Sequence, residues 1–347
     1  MPCMNRSIQA VGLVSGGLDS ALAVALIRRQ GIEVIGLHVA IGYEAAVMRR
    51  EVAGEKLGAL LDEQSRRMSA AFNTRVLVID RSTEFLEILR RPRHGYGANM
   101  NPCIDCHLYM IREARGVMER EGARFVFTGE VLGQRPMSQN RPALDLIERE
   151  SGLAGLLLRP LSAKLLPATI PEREGWLERD RLLDIEGRSR KRQMELAADL
   201  GIVGYESPAG GCLLTDANYA RKVRDRLRHE EGRALSREET LLFSVGRHFR
   251  LSPSVKIVVG RREAENDYLE RAWVALWLAS PVDVPGPTVL IQGEATDEDL
   301  SIAARYVARY SDAKGSPRTR VAVRRGIEER VYDASPIPDE IAEGARI

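Results

Sequence analysis

Ser15-Gly16-Gly17-Leu18-Asp19-Ser20 places two hydroxyls, two adjacent glycines and one carboxylate in a single short stretch. An apolar run, Ala10–Val14, leads into it. A helical pattern with Ala21, Val24, Ala25 and Ile27 on one face leads out of it. Strand, tight glycine turn and helix start is an arrangement that binds phosphate. The first N–H groups of a helix lack internal partners, and the helix dipole favours negative charge there. Gly16 and Gly17 let the backbone approach a ligand, because no Cβ intervenes. Ser15 and Ser20 add hydroxyl donors, and Asp19 can hold a cation such as Mg²⁺. No Lys follows the glycines, so the G-x-x-x-x-G-K-[ST] phosphate loop is excluded.

Sulfur is the second source of chemistry. Cys103 and Cys106 form a C-x-x-C pair opening an expected helix after Pro102, and Cys212 follows two glycines far downstream. Three thiols so placed fit three uses. They could ligate an iron–sulfur cluster with one open iron. Two of them could work as a pair, one carrying persulfide and the other resolving it. With a fourth ligand such as His107 they could hold zinc. A helix start beside Cys103 and Cys106 is expected to stabilise thiolate. Cys3 is assigned no role.

These groups must be positioned by alternating strands and helices. Strands are expected at Ala10–Val14, Glu33–Val39, Arg75–Ile79 and Arg124–Thr128. Helices are expected at Asp19–Arg29, as one long element within Glu44–Ala71, after Pro102, and within Gln139–Arg149. Such spacing indicates βαβ units and an α/β fold with a doubly wound parallel sheet. Ligands then sit beyond the carboxyl ends of the strands, where Ser15–Ser20, Leu37–Val39 and Thr128–Glu130 would gather. Further helices are expected around Glu172–Arg181 and Ser189–Leu200, and Gly204–Cys212 breaks regular structure. The last third has expected strands at Val255–Val259, Thr288–Ile291 and Arg320–Val323 and a helix at Asp297–Tyr310, a small α+β module. The expected domains are 1–170, a helical and loop extension at 171–231 carrying the third Cys, and 232–347.

The chain has 347 residues, 44% hydrophobic and 5% aromatic, with a formal net charge of +2, which by itself identifies no partner. Basic residues cluster at Arg188–Arg192 and Arg221–Arg228, where they could contact a phosphate backbone or simply face solvent. No apolar run is long enough to span a bilayer and no secretory h-region is present, so a cytoplasmic protein without a structural disulfide framework is expected.

Ser15–Ser20, Cys103-Ile-Asp-Cys106 and Thr128-Gly-Glu-Val-Leu-Gly-Gln-Arg-Pro-Met-Ser-Gln139 together resemble the PP-loop tRNA thiouridine synthetases. Thr128–Gln139 and Leu158–Lys164 look most like the 4-thiouridine synthetase branch. The cysteines are similar both to members with a [4Fe-4S] cluster on three cysteines and to two-cysteine 2-thiouridylases. The resemblance covers about residues 8–215 and implies a PP-loop ATP pyrophosphatase fold of the HUP-like kind. It implies that ATP lies along the strand ends, with Ser15, Gly16, Gly17 and Ser20 on the departing pyrophosphate and Asp19 on Mg²⁺. Leu37, His38, Val39 and Gly129 would contact adenine. Gln134, Ser138 and Gln139 would line the pocket or cap the next helix, and Lys164 and Arg135 would neutralise phosphate.

The resemblance further implies that a uridine oxygen in tRNA attacks the α-phosphate and that sulfur then displaces AMP. Asp19, Cys106 and Cys212 are the expected catalytic residues, and Cys103, Cys106 and Cys212 the expected metal ligands. The sulfur donor would be inorganic sulfide, or a cysteine desulfurase or sulfur carrier, and the protein a monomer or homodimer. The RNA-binding region that precedes the PP-loop in 4-thiouridine synthetases is expected to be absent. Val255–Leu269 is similar to the RNA-binding module of ribosome quality-control proteins. Two other functions remain open: the same ATP chemistry on a small molecule or another non-tRNA acceptor, and an RNA-binding adaptor with a relic ATP site.

Overall fold

The computed structural model describes residues 8–203, 205, 211–230, 232–313 and 315–347. Cys3 and residues 204 and 206–210 of the expected Gly204–Cys212 break lie outside them. The chain divides into two compact units, one of residues 1–44 and 57–211, the other of 45–56 and 212–347. Residues 171–211, expected in a separate extension, thus belong to the first unit, and Cys212 opens the second.

The first unit is built on five strands: β1 Gln9–Leu13, β2 Glu33–Ala40, β3 Val76–Asp80, β4 Phe125–Thr128 and β5 Leu157–Leu158. Their order is β3-β2-β1-β4-β5 and every pairing is parallel. The chain runs outward one way from β1 to β3 and the other way from β4 to β5. The sheet therefore has its topological switch point between β1 and β4, where open α/β sheets bind ligands. Near-continuous burial of β2 and β4 is the pattern of strands covered on both faces. Val24, Ile27, Met68, Phe72, Phe125 and Phe127 form one core cluster, and Leu18, Leu22, Val131, Leu161 and Ile185 another. Gly12 is the register partner of Phe127, and a Cβ there would lie 2.4 Å from the Phe127 ring. β1 thus reaches its neighbour only because it carries glycine at that point.

The single long helix expected within Glu44–Ala71 is two, Ala45–Val52 and Leu57–Phe72. Gly54 between them adopts φ +101°, outside helical space. The pattern around Glu172–Arg181 yields only Ile170–Arg173 and a 3₁₀ turn at Arg179–Arg181. Two longer helices frame the cysteine and glutamine segments. Cys103–Glu121 ends at left-handed Gly122, and Arg141–Ser151 is capped by the Asn140 side chain, which accepts from the Ala143 N–H.

The second unit holds a six-stranded antiparallel sheet in the order β11-β10-β8-β9-β7-β6. Its strands are β6 Arg247–Arg250, β7 Lys256–Val259, β8 Trp277–Pro281, β9 Val289–Gln292, β10 Thr319–Arg325 and β11 Glu328–Ala334. Helix Asp297–Tyr310 packs Leu300, Ala303, Ala304 and Val307 onto it. Among the described residues no helix is long and apolar enough to cross a membrane.

Candidate functional site

The site grows from the turn after β1. Gly16 takes φ +79° and Gly17 is the N-cap of the Leu18–Arg28 helix, with no side chain capping it. The helix start therefore presents uncapped N–H groups at the switch point. The Ser20 hydroxyl donates to the Gly17 carbonyl at 2.8 Å and accepts weakly from the Ser15 N–H at 3.4 Å, which holds the turn closed around the glycines. Ser15 itself is exposed.

Gly129 follows β4 and lies directly against this helix start. A Cβ on it would sit 2.7 Å from the Asp19 carbonyl and the Ser20 nitrogen. Only glycine lets β4 come this close, so Gly129 sets the spacing of the two strand ends.

Asp19 is held by two long-range contacts. Its Oδ2 accepts from Gln134 Nε2 at 3.1 Å and from the Arg190 guanidinium at 2.9 Å. Its Oδ1 is buried and has no hydrogen-bond partner among the described residues. The segments bringing Gln134 and Arg190 are tied together by a Leu132–Glu186 bridge and a Gly187 N–H to Leu132 carbonyl bond of 2.7 Å. Both carry further buried polar groups without partners among the described residues: Ser138 Oγ, Gln139 Oε1 and both amide atoms of Gln193. Each such group costs about 1–3 kcal/mol when unsatisfied. Their concentration on the two segments that touch Asp19 marks a place for a polar ligand. An unpartnered carboxylate oxygen beside uncapped N–H groups fits Mg²⁺, which takes one or two carboxylates together with substrate phosphates.

The expected adenine contacts divide. Leu37 and Val39 are buried in β2, and the Leu37 carbonyl is already used by the Val14 N–H. His38 is buried too, with Nδ1 3.0 Å from the Val14 carbonyl and Nε2 3.3 Å from Gln64 Nε2. Facing a carbonyl, Nδ1 carries the proton, and Nε2 accepts from the amide. His38 thus braces the end of β1 one residue before Ser15. A cleft beside Gly16 is lined by Arg67, Met68, Phe72, Ile202 and Tyr205. A cavity of about 450 Å³ against Arg149, Glu172 and Arg173 includes no residue of the glycine turn.

Ser138 and Gln139 do not cap the next helix, because Asn140 does. Lys164 donates to the Asp180 carbonyl at 2.8 Å on the surface. The Arg188–Arg192 cluster is divided by its surroundings. Arg190 turns in to Asp19, Arg192 pairs with Asp184, and Arg188 and Lys191 stay exposed.

A buried ionic node behind Gly129 was not foreseen from sequence. Glu130 accepts from the Thr128 hydroxyl at 3.0 Å, from Arg159 Nε at 3.0 Å and from His107 Nδ1 at 2.7 Å. Arg159, only 3% exposed, also reaches Glu148 and the Leu144 carbonyl. Burial alone would raise the Glu130 carboxyl, but the Arg159 guanidinium and the His107 hydrogen bond outweigh it and hold the group at about 2. The node clamps the β4 end to the cysteine-bearing helix and to the residue after β5. His107, the possible fourth zinc ligand, is thus engaged by Glu130. Its only sequence signal was that Glu130 follows a strand end.

Cys103 is half-buried and Cys106 buried, at the uncapped start of the Cys103–Glu121 helix. Burial pushes the Cys103 thiol up while Arg135 pulls against it. The expected thiolate stabilisation by the helix start does not prevail at Cys103, and Arg135 acts there. Asp105 between the two cysteines accepts from the His94 N–H and pairs with His94 Nδ1, both at 2.9 Å, folding the preceding loop onto the helix. Among the described residues no group of three or more His, Cys, Asp or Glu side chains is arranged to hold a metal ion. Cys103 and Cys106 lie in the first unit and Cys212 in the second.

Residues 6–164 match the family model described as Thiamine biosynthesis protein (ThiI), and residues 246–344 the NFACT protein RNA binding domain. The first match spans under half of the chain, and the second lies within the unit that holds the antiparallel sheet. The chain is 24% identical over 345 residues to the tRNA-specific 2-thiouridylase MnmA of Azorhizobium caulinodans, covering 90% of this chain and 84% of that protein. The same enzyme of a Methylobacterium species is 26% identical, with 88% and 85% covered. A probable tRNA sulfurtransferase of Thermococcus kodakarensis is 26% identical over 153 residues, 44% of this chain and 36% of that protein. A solved 4-thiouridine synthetase–RNA complex with bound ATP aligns over 56% of this chain and 41% of that chain at 20% identity, with a TM-score of 0.35.

Proposed function

We propose that this protein is a cytoplasmic ATP-dependent sulfurtransferase that adenylates a uridine of tRNA, releasing pyrophosphate, and then replaces the activated oxygen with sulfur. The observation that carries the ATP step is the uncapped Leu18–Arg28 helix start at the β1/β4 switch point, with Asp19 Oδ1 beside it and without a partner among the described residues. The match of residues 6–164 to the ThiI family model and the relatives' names support the tRNA and sulfur parts.

The uridine oxygen attacks the α-phosphate, and pyrophosphate leaves onto the N–H groups of the glycine turn, where the helix dipole opposes its charge. Ser15 and Ser20 flank that position. Mg²⁺, held by Asp19 through Oδ1, would supply charge neutralisation on the leaving group. Gln134 and Arg190 keep the Asp19 carboxylate aimed. Reaching the base atom requires the uridine to leave its stack. In the persulfide reading a cysteine desulfurase or carrier delivers persulfide-level sulfur to Cys106 or Cys212. The outer sulfur displaces AMP, and the other thiol then frees the thiolated base as the two cysteines join in a disulfide, which a thiol reductant must reopen. Inorganic sulfide would instead displace AMP directly, and Cys103, Cys106 and Cys212 would be the ligands if a [4Fe-4S] cluster is bound.

The test is pyrophosphate release from ATP with unmodified tRNA, read alongside thiolated nucleosides after digestion. ATP turnover that ignores RNA would point to another acceptor. Iron and sulfide assayed after anaerobic purification decide the sulfur centre. Roughly four irons per chain identify [4Fe-4S], and an iron-free active protein identifies the persulfide pair.

A further inference from the structure

The basic run Arg221–Arg228 lies on helix Ala217–His229, which falls outside both matched family regions. Its charges are sorted by helical period. Lys222 and Arg226, four residues apart, turn inward with Tyr219 and Val223. Lys222 donates to the Phe243 and Gly246 carbonyls, and Arg226 pairs with Glu239 at 2.6 Å. Arg221, Arg224 and Arg228, spaced by three and four, are all exposed on the opposite face.

Acidic groups nearby are already engaged. Asp216 caps the helix by accepting from the Tyr219 N–H. Asp225 pairs with Arg250 and His229, and Glu230 with Arg226 and Arg233. Among the described residues Arg221, Arg224 and Arg228 have no carboxylate within ion-pair distance; Arg221 reaches only the Asn218 amide oxygen. The outer face is thus three guanidiniums over eight residues, about 10 Å of helix. Duplex strands carry one phosphate per roughly 3.4 Å of axis, so the stripe spans about three phosphates. Asp216 at one end and the Arg226–Glu239 pair along the inner face fix the helix, so the stripe is presented rigidly.

We propose that Arg221, Arg224 and Arg228 form an RNA phosphate-binding stripe, separate from the region 246–344 that matches an RNA-binding domain model. The proposal rests on the reading that RNA is the substrate. The stripe also has a chemical neighbour. Cys212 precedes the helix by one 3₁₀ turn, Leu213–Thr215, and belongs to the same unit. RNA seated on the stripe would be held by the unit that carries this thiol.

The experiment measures binding of unmodified tRNA against salt for the full chain, the Arg221→Ala/Arg224→Ala/Arg228→Ala variant and the corresponding triple Lys variant. Removing three phosphate contacts should reduce the slope of log K against log salt by about 2–3. The Lys variant should restore it, because the contacts are to charge. Unchanged circular dichroism would show that the variant is folded. A wild-type protein that binds tRNA steeply, with a triple-Ala variant of equal slope, overturns the stripe while leaving the RNA reading intact. Wild-type protein that binds no tRNA overturns that underlying reading. Binding to phosphatidylglycerol vesicles in place of tRNA, lost in the triple-Ala variant, would reassign the stripe to a membrane surface and overturn the proposal.

Discussion

Replacing Glu130 with Gln keeps its shape and removes its charge from a node whose other members, Arg159 and His107, are buried or nearly so. The folded carboxyl sits at about 2, against an ordinary 4.5. A depressed folded value means that the charge stabilises the fold above the ordinary value, and that this contribution is lost as pH falls through the folded one. The difference of about 2.5 units is worth on the order of 3 kcal/mol at pH 5.5. At about pH 3 less than half of it remains. Urea unfolding of wild type and Glu130→Gln at the two pH values should therefore show a gap that narrows by about 2 kcal/mol on acidification. Leaving Arg159 buried with a weakened partner adds a pH-independent part, typical of a broken buried pair. A gap that is equal at both pH values would refute the assignment of Glu130 as the ionised anchor. Arg159→Met in the Glu130→Gln background should recover part of the loss, because the orphaned charge is removed with it.

Asp19→Asn should lower pyrophosphate release roughly 10²–10³-fold, the scale of losing one preorganised electrostatic group, while tRNA binding is retained; equal turnover would remove the metal role. Gly129→Ala forces a Cβ to 2.7 Å from the Asp19 and Ser20 backbone. It should cost about 1–3 kcal/mol by overpacking and raise KM for ATP, so a variant with wild-type melting and KM would contradict the described contact. Cys212→Ala should abolish thiolated nucleoside yet preserve tRNA-dependent ATP cleavage, as read by mass spectrometry of digested tRNA beside a pyrophosphate assay.

Much of the ATP half is written locally in the chain. The glycine turn, its helix and the aliphatic strands declare themselves within a few residues, and Asp297–Tyr310 is bounded as its capping box and apolar period dictate. What the sequence hides is made by distance. Glu130 meets partners 23 and 29 residues away, and Asp19 meets Arg190 across 171. Nothing in a run of basic residues tells which one will turn inward. The antiparallel strands are quieter still. β6 is Arg-His-Phe-Arg, and β11 is mostly exposed along its length, so neither offers a hydrophobic run. Helix Ala217–His229 reads as a charge cluster because two of its inward residues are cations.

The helix Ala45–Val52 belongs to the second unit although the chain on both sides of it belongs to the first. Val52 packs with Leu242, Val245, Val258, Tyr268 and Leu269, and Arg271 donates to the Val52 carbonyl. On a ribosome adding about 5–20 residues per second, Val52 emerges roughly 10–40 s before Leu242 exists. For that interval the Ala45–Val52 segment has no surface of its own unit to dock on. Birth order makes the second unit the last to be complete. A fragment starting at Cys212 would be born with an empty groove where Val52 belongs.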